Sequence, residues 1–302
     1  MKKFIYRVIL FVLISSAVLI FPITFMYFKS PDVISTWYYG VNAKKKNRII
    51  LAGSSNVYMN YDYQKLNNSF LDYDIVGSNM ASSVGFIPII SKIDQLVIKP
   101  NDIIIFCLPY QIYDETNFIA FNNELAIKAF SKKTLKNGLK YNFSQTLKNF
   151  YGQLDAKSWF NYVISENNNE SYNRDLKIQI TQSNLLNITD YISCIEHVDA
   201  KFSVMSEGFD EKYISEFMTS ILNNVNAKVY FRFPSVYKNK TVINQNKLQF
   251  LSKNYNFINS YNTSEYDSMY WYNGIYHLNQ CGAEKNTDLF IEELNQLLAI
   301  LQ

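Results

Sequence analysis

Ser54 and Ser55 follow directly on an apolar run, Ile49-Ile50-Leu51-Ala52, and a glycine, within the stretch RIILAGSSNVYMNYD at residues 48–62. A serine hydroxyl attacks a carbonyl only when a neighbouring base takes its proton. Two histidines are available, His197 and His277. His197 lies in CIEHVD, inside a polar middle region, where a surface or capping role accounts for it. His277 lies in MYWYNGIYHLNQCGAEK, just ahead of a C-terminal helical pattern. A serine nucleophile, a histidine base and backbone N–H groups facing the oxyanion would together perform acyl transfer. Two plainer readings stand beside this one: Gly-Ser-Ser is common in turns, and a hydrogen-bonded loop histidine accounts for His277.

The elements flanking these residues decide whether they can meet. Short apolar runs predict strands at 48–52, 73–76, 102–108, 227–233 and 256–259. The run at 102–108 is apolar after its first residue, as a strand covered on both faces should be. Helical patterns fall at 86–98, 208–224 and 282–300. In the second, Tyr213, Ile214, Phe217, Met218 and Ile221 share one face; in the third, Leu289, Phe290, Leu294, Leu297 and Leu298 do. Strands alternating with helices predict an α/β domain of flavodoxin-like, three-layer α/β/α form with a mainly parallel five-stranded sheet. Ligands of such sheets bind beyond the carboxyl ends of the strands. Ser55, just past the first strand, and His277, between the last strand and the last helix, would both emerge there. The region of about 115–205 breaks the alternation; it is polar, contains SENNNESYNRD at 165–175, and reads as a mostly helical insertion.

Charge and composition bound the remaining possibilities. A net charge of +3, with no Lys/Arg stripe interleaved with aromatics, gives no footing for nucleic acid. Cys107, Cys194 and Cys281 are odd in number, far apart and without a CxxC pair, so neither a disulfide framework nor a zinc site is expected, and no metal or cofactor is assigned. Cys107, in an apolar run, reads as a core residue. No phosphate loop, HExxH or EF-hand pattern occurs. Abundant Tyr, Phe and Asn are attributed to nucleotide-composition bias. Lys2, Lys3 and Arg7 precede an uncharged run at 8–28, about the length that crosses a bilayer. The bulky MYFKS at residues 26–30 suits no signal-peptidase site, so an uncleaved anchor is expected, with the N-terminus cytoplasmic and the remainder outside. The chain therefore divides into an anchor at 1–29, a linker at 30–47 and the α/β domain at 48–302.

Gly53-Ser54-Ser55-Asn56, followed far downstream by Tyr276-His277-Leu278-Asn279 and Gly282, resembles the SGNH (GDSL-type) hydrolase superfamily. The likeness is to its membrane-anchored members that modify bacterial cell-envelope polysaccharide, over about residues 46–112 and 208–300. It implies Ser55 as nucleophile and Ser54 in the place of the usual aspartate. His277 would be the base, with Asn273 or Gly274 where the triad acid normally stands, and Asn273 as the group that orients the imidazole. Glu265 and Asp267 are nearby acids that could substitute. Oxyanion donors would come from Gly77 and Asn79, and from Gln111 or Tyr110 in place of a missing asparagine. The implied activity is that of a serine esterase or O-acyltransferase needing no cofactor. Its partners would be an acylated glycan or glycan acceptor, the inner membrane through the N-terminal helix, and a membrane acyl-donor protein. The missing acid also fits a catalytically retired, membrane-tethered scaffold, and a structural envelope protein would place Ser55 and His277 apart. The aromatic stretch YWYNGIY at 270–276 would suit stacking on a sugar or a packed loop equally.

Overall fold

Two apolar runs, Ile49–Ala52 and Ile103–Cys107, form the centre of an α/β fold. The protein is described here by a computed structural model covering residues 2–29, 37–39, 47–79, 98–113, 194, 204–206, 208–238, 241–273 and 276–301. In chain order the elements are α1 (Lys2–Lys29), β1 (Trp37–Tyr39), β2 (Asn47–Gly53), α2 (Ser55–Met59), α3 (Tyr63–Ser69), β3 (Tyr73–Asn79) and β4 (Ile103–Cys107). They continue with β5 (Val204–Ser206), α4 (Glu211–Asn224), β6 (Lys228–Phe231), β7 (Val236–Tyr237), β8 (Thr241–Ile243) and α5 (Gln245–Asn254). The last are β9 (Glu265–Tyr266), β10 (Trp271–Asn273), β11 (His277–Leu278) and α6 (Gln280–Leu301). The main sheet runs β1-β3-β2-β4-β6, parallel except for the edge strand β1.

Successive strand residues point to opposite faces, and both faces of this sheet are apolar. Ile49, Leu51, Ile103 and Ile105 pack with Leu66 of α3 and with Phe290, Leu294 and Leu297 of α6. Ile50, Ala52, Ile104 and Phe106 pack on the other side with Ile214, Phe217, Met218 and Ile221 of α4 and Leu248 and Leu251 of α5. Three helices begin at Asp62, Asp210 and Asn244, whose side chains accept from backbone N–H groups two or three positions on. Two ion pairs brace the fold, the first between neighbouring strands and the second between the sheet and α6. Arg48 bonds Asp102 at the amino end of β2 and β4. At the other end Arg232 Nε donates to Glu293 on α6 at 2.6 Å, and its Nη1 to the Tyr61 hydroxyl at 2.8 Å.

Three expectations change. The run at 256–259 yields one parallel bridge, Phe231 with Phe257, because Asn259 then turns the chain and its amide bonds both the N–H and the carbonyl of Phe233. The fifth strand of the sheet is β1 instead, which lies within the segment read as linker. Cys194 and Cys281 form a disulfide with Cα atoms 5.6 Å apart, against the expectation of none. Sequence spacing and an odd count do not bar one long-range pair; Cys107 is the buried free thiol. At the N-terminus, the described side chains of α1, residues 3–17, are exposed or half-buried. Among the described residues no helix is long and apolar enough to cross a membrane. The uncharged sequence continues beyond those side chains to Phe28. The expected helix at 86–98 (apart from Ile98), the insertion (apart from Cys194 and β5) and His197 lie outside the described residues.

Candidate functional site

At the carboxyl edge of the sheet, Gly53 is paired with Asn79 of β3 on one side and with Cys107 of β4 on the other. Space makes position 53 a glycine, beyond the turn that sequence suggests. A Cβ there would stand 2.4 Å from the Cys107 carbonyl oxygen and 2.3 Å from Val57 Cγ2.

The turn that follows is organised by Asn56, 1 % exposed. Its Oδ1 accepts from the Ser54 N–H at 2.9 Å and from the Ser54 hydroxyl at 2.8 Å. Its Nδ2 donates to the Cys107 carbonyl at 3.1 Å. One amide thus joins the end of β2 to the end of β4. Ser54 is buried and engaged as the N-cap residue of α2, which separates the two serines. Ser55 is the first residue of that helix.

Asn60 closes α2, and its amide reaches across to the histidine loop. Nδ2 donates to the Tyr276 carbonyl at 2.6 Å, and Oδ1 accepts from the Leu278 N–H at 2.9 Å. The two bonds bracket His277. Elements α2 and β11 accordingly approach within 8 Å between Cα atoms. Because α2 is only five residues long, Ser55 and His277 belong to the same corner of the molecule. Asn60 is itself fixed from below: its carbonyl accepts from Asn286 Nδ2 at 2.8 Å, and Asn286 Oδ1 accepts from the hydroxyls of Tyr266 and Ser235. Thr287 Oγ1 accepts from the Asp62 N–H at 2.9 Å, joining the same loop to α6.

The histidine loop is a hairpin of β10 and β11 in which Asn273 stands directly opposite His277. Each neighbour of the histidine has its own task. The Tyr276 hydroxyl accepts from the Tyr110 N–H at 3.0 Å and donates to Gln111 Oε1 at 2.5 Å, latching the loop to the 3-10 turn at Tyr110–Tyr113. Leu278 is in a small core with Tyr237, Tyr266 and Trp271. Asn279 Oδ1 accepts from the Gly282 N–H at 2.9 Å and caps α6. A Cβ on Gly282 would stand 2.3 Å from the Tyr270 carbonyl oxygen. Burial lowers the His277 pKa to about 4, so the imidazole is neutral at pH 7.

The remaining sequence candidates fall as follows. Asn79 ends β3 beside Gly53, at the same edge as Ser55. Gly77 lies two residues inside the strand, where the Tyr63 ring crosses it; a Cβ would meet the Tyr63 hydroxyl at 2.1 Å. Gln111 is at the edge, engaged by Tyr276, whereas the Tyr110 ring is buried against Phe233 and Tyr261. Asp267 is exposed and pairs with Lys238 at 3.5 Å, and Glu265 interacts with the Tyr261 hydroxyl. In the aromatic stretch, Trp271 stacks on Tyr237 and Tyr276 is buried, which is the packed-loop reading for those two rings. Burial raises the pKa of the Cys107 thiol, so it is no second nucleophile. Among the described residues no His, Cys, Asp and Glu cluster could hold a metal ion. Sequence reading placed Asn56 in the serine motif without its organising role and missed Asn60; a position one after a five-residue helix carries no signal until its partners are known. No protein-family model, curated protein or solved structure matches the chain.

Proposed function

We propose that the chain is a membrane-anchored serine esterase or O-acyltransferase of SGNH type, flavodoxin-like in fold, acting outside the cytoplasm on acyl groups of an envelope polysaccharide. The observation that carries this reading is the Asn60 bridge between the helix that starts at Ser55 and the loop that holds His277. The disulfide supports the compartment, because such bonds persist in oxidising surroundings. The uncharged run at 8–28, behind Lys2, Lys3 and Arg7, supports the anchor.

In this mechanism Ser55 Oγ attacks the ester carbonyl while neutral His277 takes its proton. Backbone N–H groups at Ser55 and at Asn79, with Gln111, hold the oxyanion. The bond to the alcohol breaks, and the leaving oxygen takes the proton back from His277. Water or a sugar hydroxyl then attacks the acyl-serine, His277 again accepting and returning a proton. Asn273, opposite His277, orients the ring without supplying a negative charge.

A second reading, a catalytically retired tethered scaffold, draws on the low His277 pKa and on Asn273 standing where an acid would, since both weaken the base. Reaction with a fluorophosphonate probe separates the two. Labelling should disappear in Ser55→Ala and persist in Ser54→Ala. Folded wild-type protein that takes no label would favour the scaffold.

A further inference from the structure

Among the described residues three asparagines use the same device, an amide that bonds a backbone N–H and a backbone carbonyl of a distant segment. Asn67 holds the N–H and carbonyl of Ile75, both at 2.9 Å. Asn259 holds those of Phe233, at 2.7 and 3.2 Å. In both the two bonded groups belong to one residue, Ile75 within β3 and Phe233 just beyond β6.

Asn60 differs in three respects. It bonds the carbonyl of Tyr276 and the N–H of Leu278, so the residue between them, His277, is the one whose backbone position is set. It is 1 % exposed, and its own carbonyl is held by Asn286 from α6. It lies at the end of the short helix that starts with Ser55, so the clamp ties the two halves of the candidate site to each other. The Tyr276 latch to Tyr110 and Gln111 holds the far side of the same loop.

We infer that Asn60 is the positioning residue of this site: its side-chain amide sets the placement of the His277 backbone relative to α2, and through it the reach of the imidazole toward Ser55. The inference rests on the reading of Ser55 and His277 as a working pair. Asn60 touches no reacting atom. Loss of its amide would leave the Leu278 N–H and Tyr276 carbonyl to seek water and let the hairpin move off α2. Misplacement of a catalytic group by about 1 Å costs on the order of 100-fold in rate.

The test compares Asn60→Ala with Asn67→Ala and Asn259→Ala, which remove clamps of equal chemistry elsewhere. Fluorophosphonate labelling of Ser55 is followed at pH 7.5, where His277 is neutral whether its pKa is about 4 or the ordinary 6.5. Labelling in Asn60→Ala should slow by about 100-fold, while the two control variants stay within about threefold of wild type. A second readout needs no reactivity. With two histidines in the chain, NMR titration resolves His277, assigned against His197→Gln. Its midpoint should rise from about 4 toward 6.5 in Asn60→Ala and stay in place in the controls. Should Asn60→Ala fail to fold, Asn60→Asp serves instead. It keeps the acceptor for Leu278 and turns an oxygen toward the Tyr276 carbonyl; labelling should slow as in Asn60→Ala, and in this variant labelling alone decides, because a new carboxylate by itself raises the pKa of a nearby imidazole. An unshifted His277 midpoint in folded Asn60→Ala, or a slowing shared equally by all three clamps, overturns the inference. Wild-type protein that takes no label overturns the esterase reading instead, and the titration then decides the Asn60 inference alone.

Discussion

The serine turn and the histidine loop are built on opposite plans. The turn at residues 53–56 is organised from within, by Asn56 bonding Ser54 two residues back and the end of the adjacent strand. The loop at residues 271–282 has a two-strand hairpin of its own, but its position is set by others: Asn60 from α2, Tyr110 and Gln111 from the turn after β4, and the cap on α6. A self-organised turn holds a residue fixed relative to the sheet. A loop held from outside keeps its register only while every distant support is intact. The difference teaches that the histidine half is the part of this site that perturbation elsewhere in the chain can move.

The largest way to sharpen that contrast is the disulfide. Cys281 lies in the first turn of α6, four residues after His277, and Cys194 joins it across 87 positions. Chain-entropy reasoning gives a closed loop of that size about 4.6 kcal/mol of stability. Thermal unfolding of Cys281→Ser should show a loss of that order, and the His277 NMR signal should shift, whereas probes in the serine turn should not. Thiol titration of denatured, unreduced protein should find Cys107 alone. Finding all three thiols free would remove this support from the loop and from the compartment argument together.

Asn56→Ala attacks the other plan. It strips the partners from the Ser54 N–H, the Ser54 hydroxyl and the Cys107 carbonyl in a buried turn. Each orphaned buried group costs about 1–3 kcal/mol, less where water can enter, so a total of about 3 kcal/mol is expected by urea unfolding. Ser54→Ala should cost about 1 kcal/mol, because Asn56 keeps its bonds to the Ser54 N–H and to Cys107. Equal losses for the two variants would deny Asn56 its organising place.

The two plans also explain what the sequence disclosed. Ile49–Ala52 and Ile103–Cys107 are legible because both sheet faces are covered, and continuous apolar runs are the signature of that burial. The face of α4, Tyr213 through Ile221, is legible by its helical period. The edge strand Trp37–Tyr39 is not, because three residues carry no period and its pairing with β3 is a tertiary fact. Asn67, Asn259 and Asn60 are invisible for the same reason, as is the bonding role of Asn56. An asparagine reads as loop material until the backbone it bonds is known, and for Asn60 that backbone is 216 and 218 positions away. The Tyr-His-Leu-Asn stretch was legible as a motif, but the separate tasks of its members, latch, site, core and cap, emerge only in the fold.

A smaller effect than the loss of Asn56 bears on His277 itself, and it tests whether the loop buries its imidazole as its supports require. Burial lowers the folded-state pKa to about 4, against about 6.5 for an unperturbed histidine. Between those values the unfolded chain binds a proton that the folded chain does not, so stability rises with pH through that window and falls as acid is added. The full shift corresponds to at most about 3 kcal/mol, and the partial exposure of His277 reduces this to about 2. Urea unfolding at pH 7 and pH 4.5 should show that loss in wild-type protein, and His277→Gln should shed most of the difference. A slope that survives His277→Gln would trace to other groups and would mean that the imidazole is already open to water. The loop would then be as free as its borrowed supports allow, and the serine would have no fixed base.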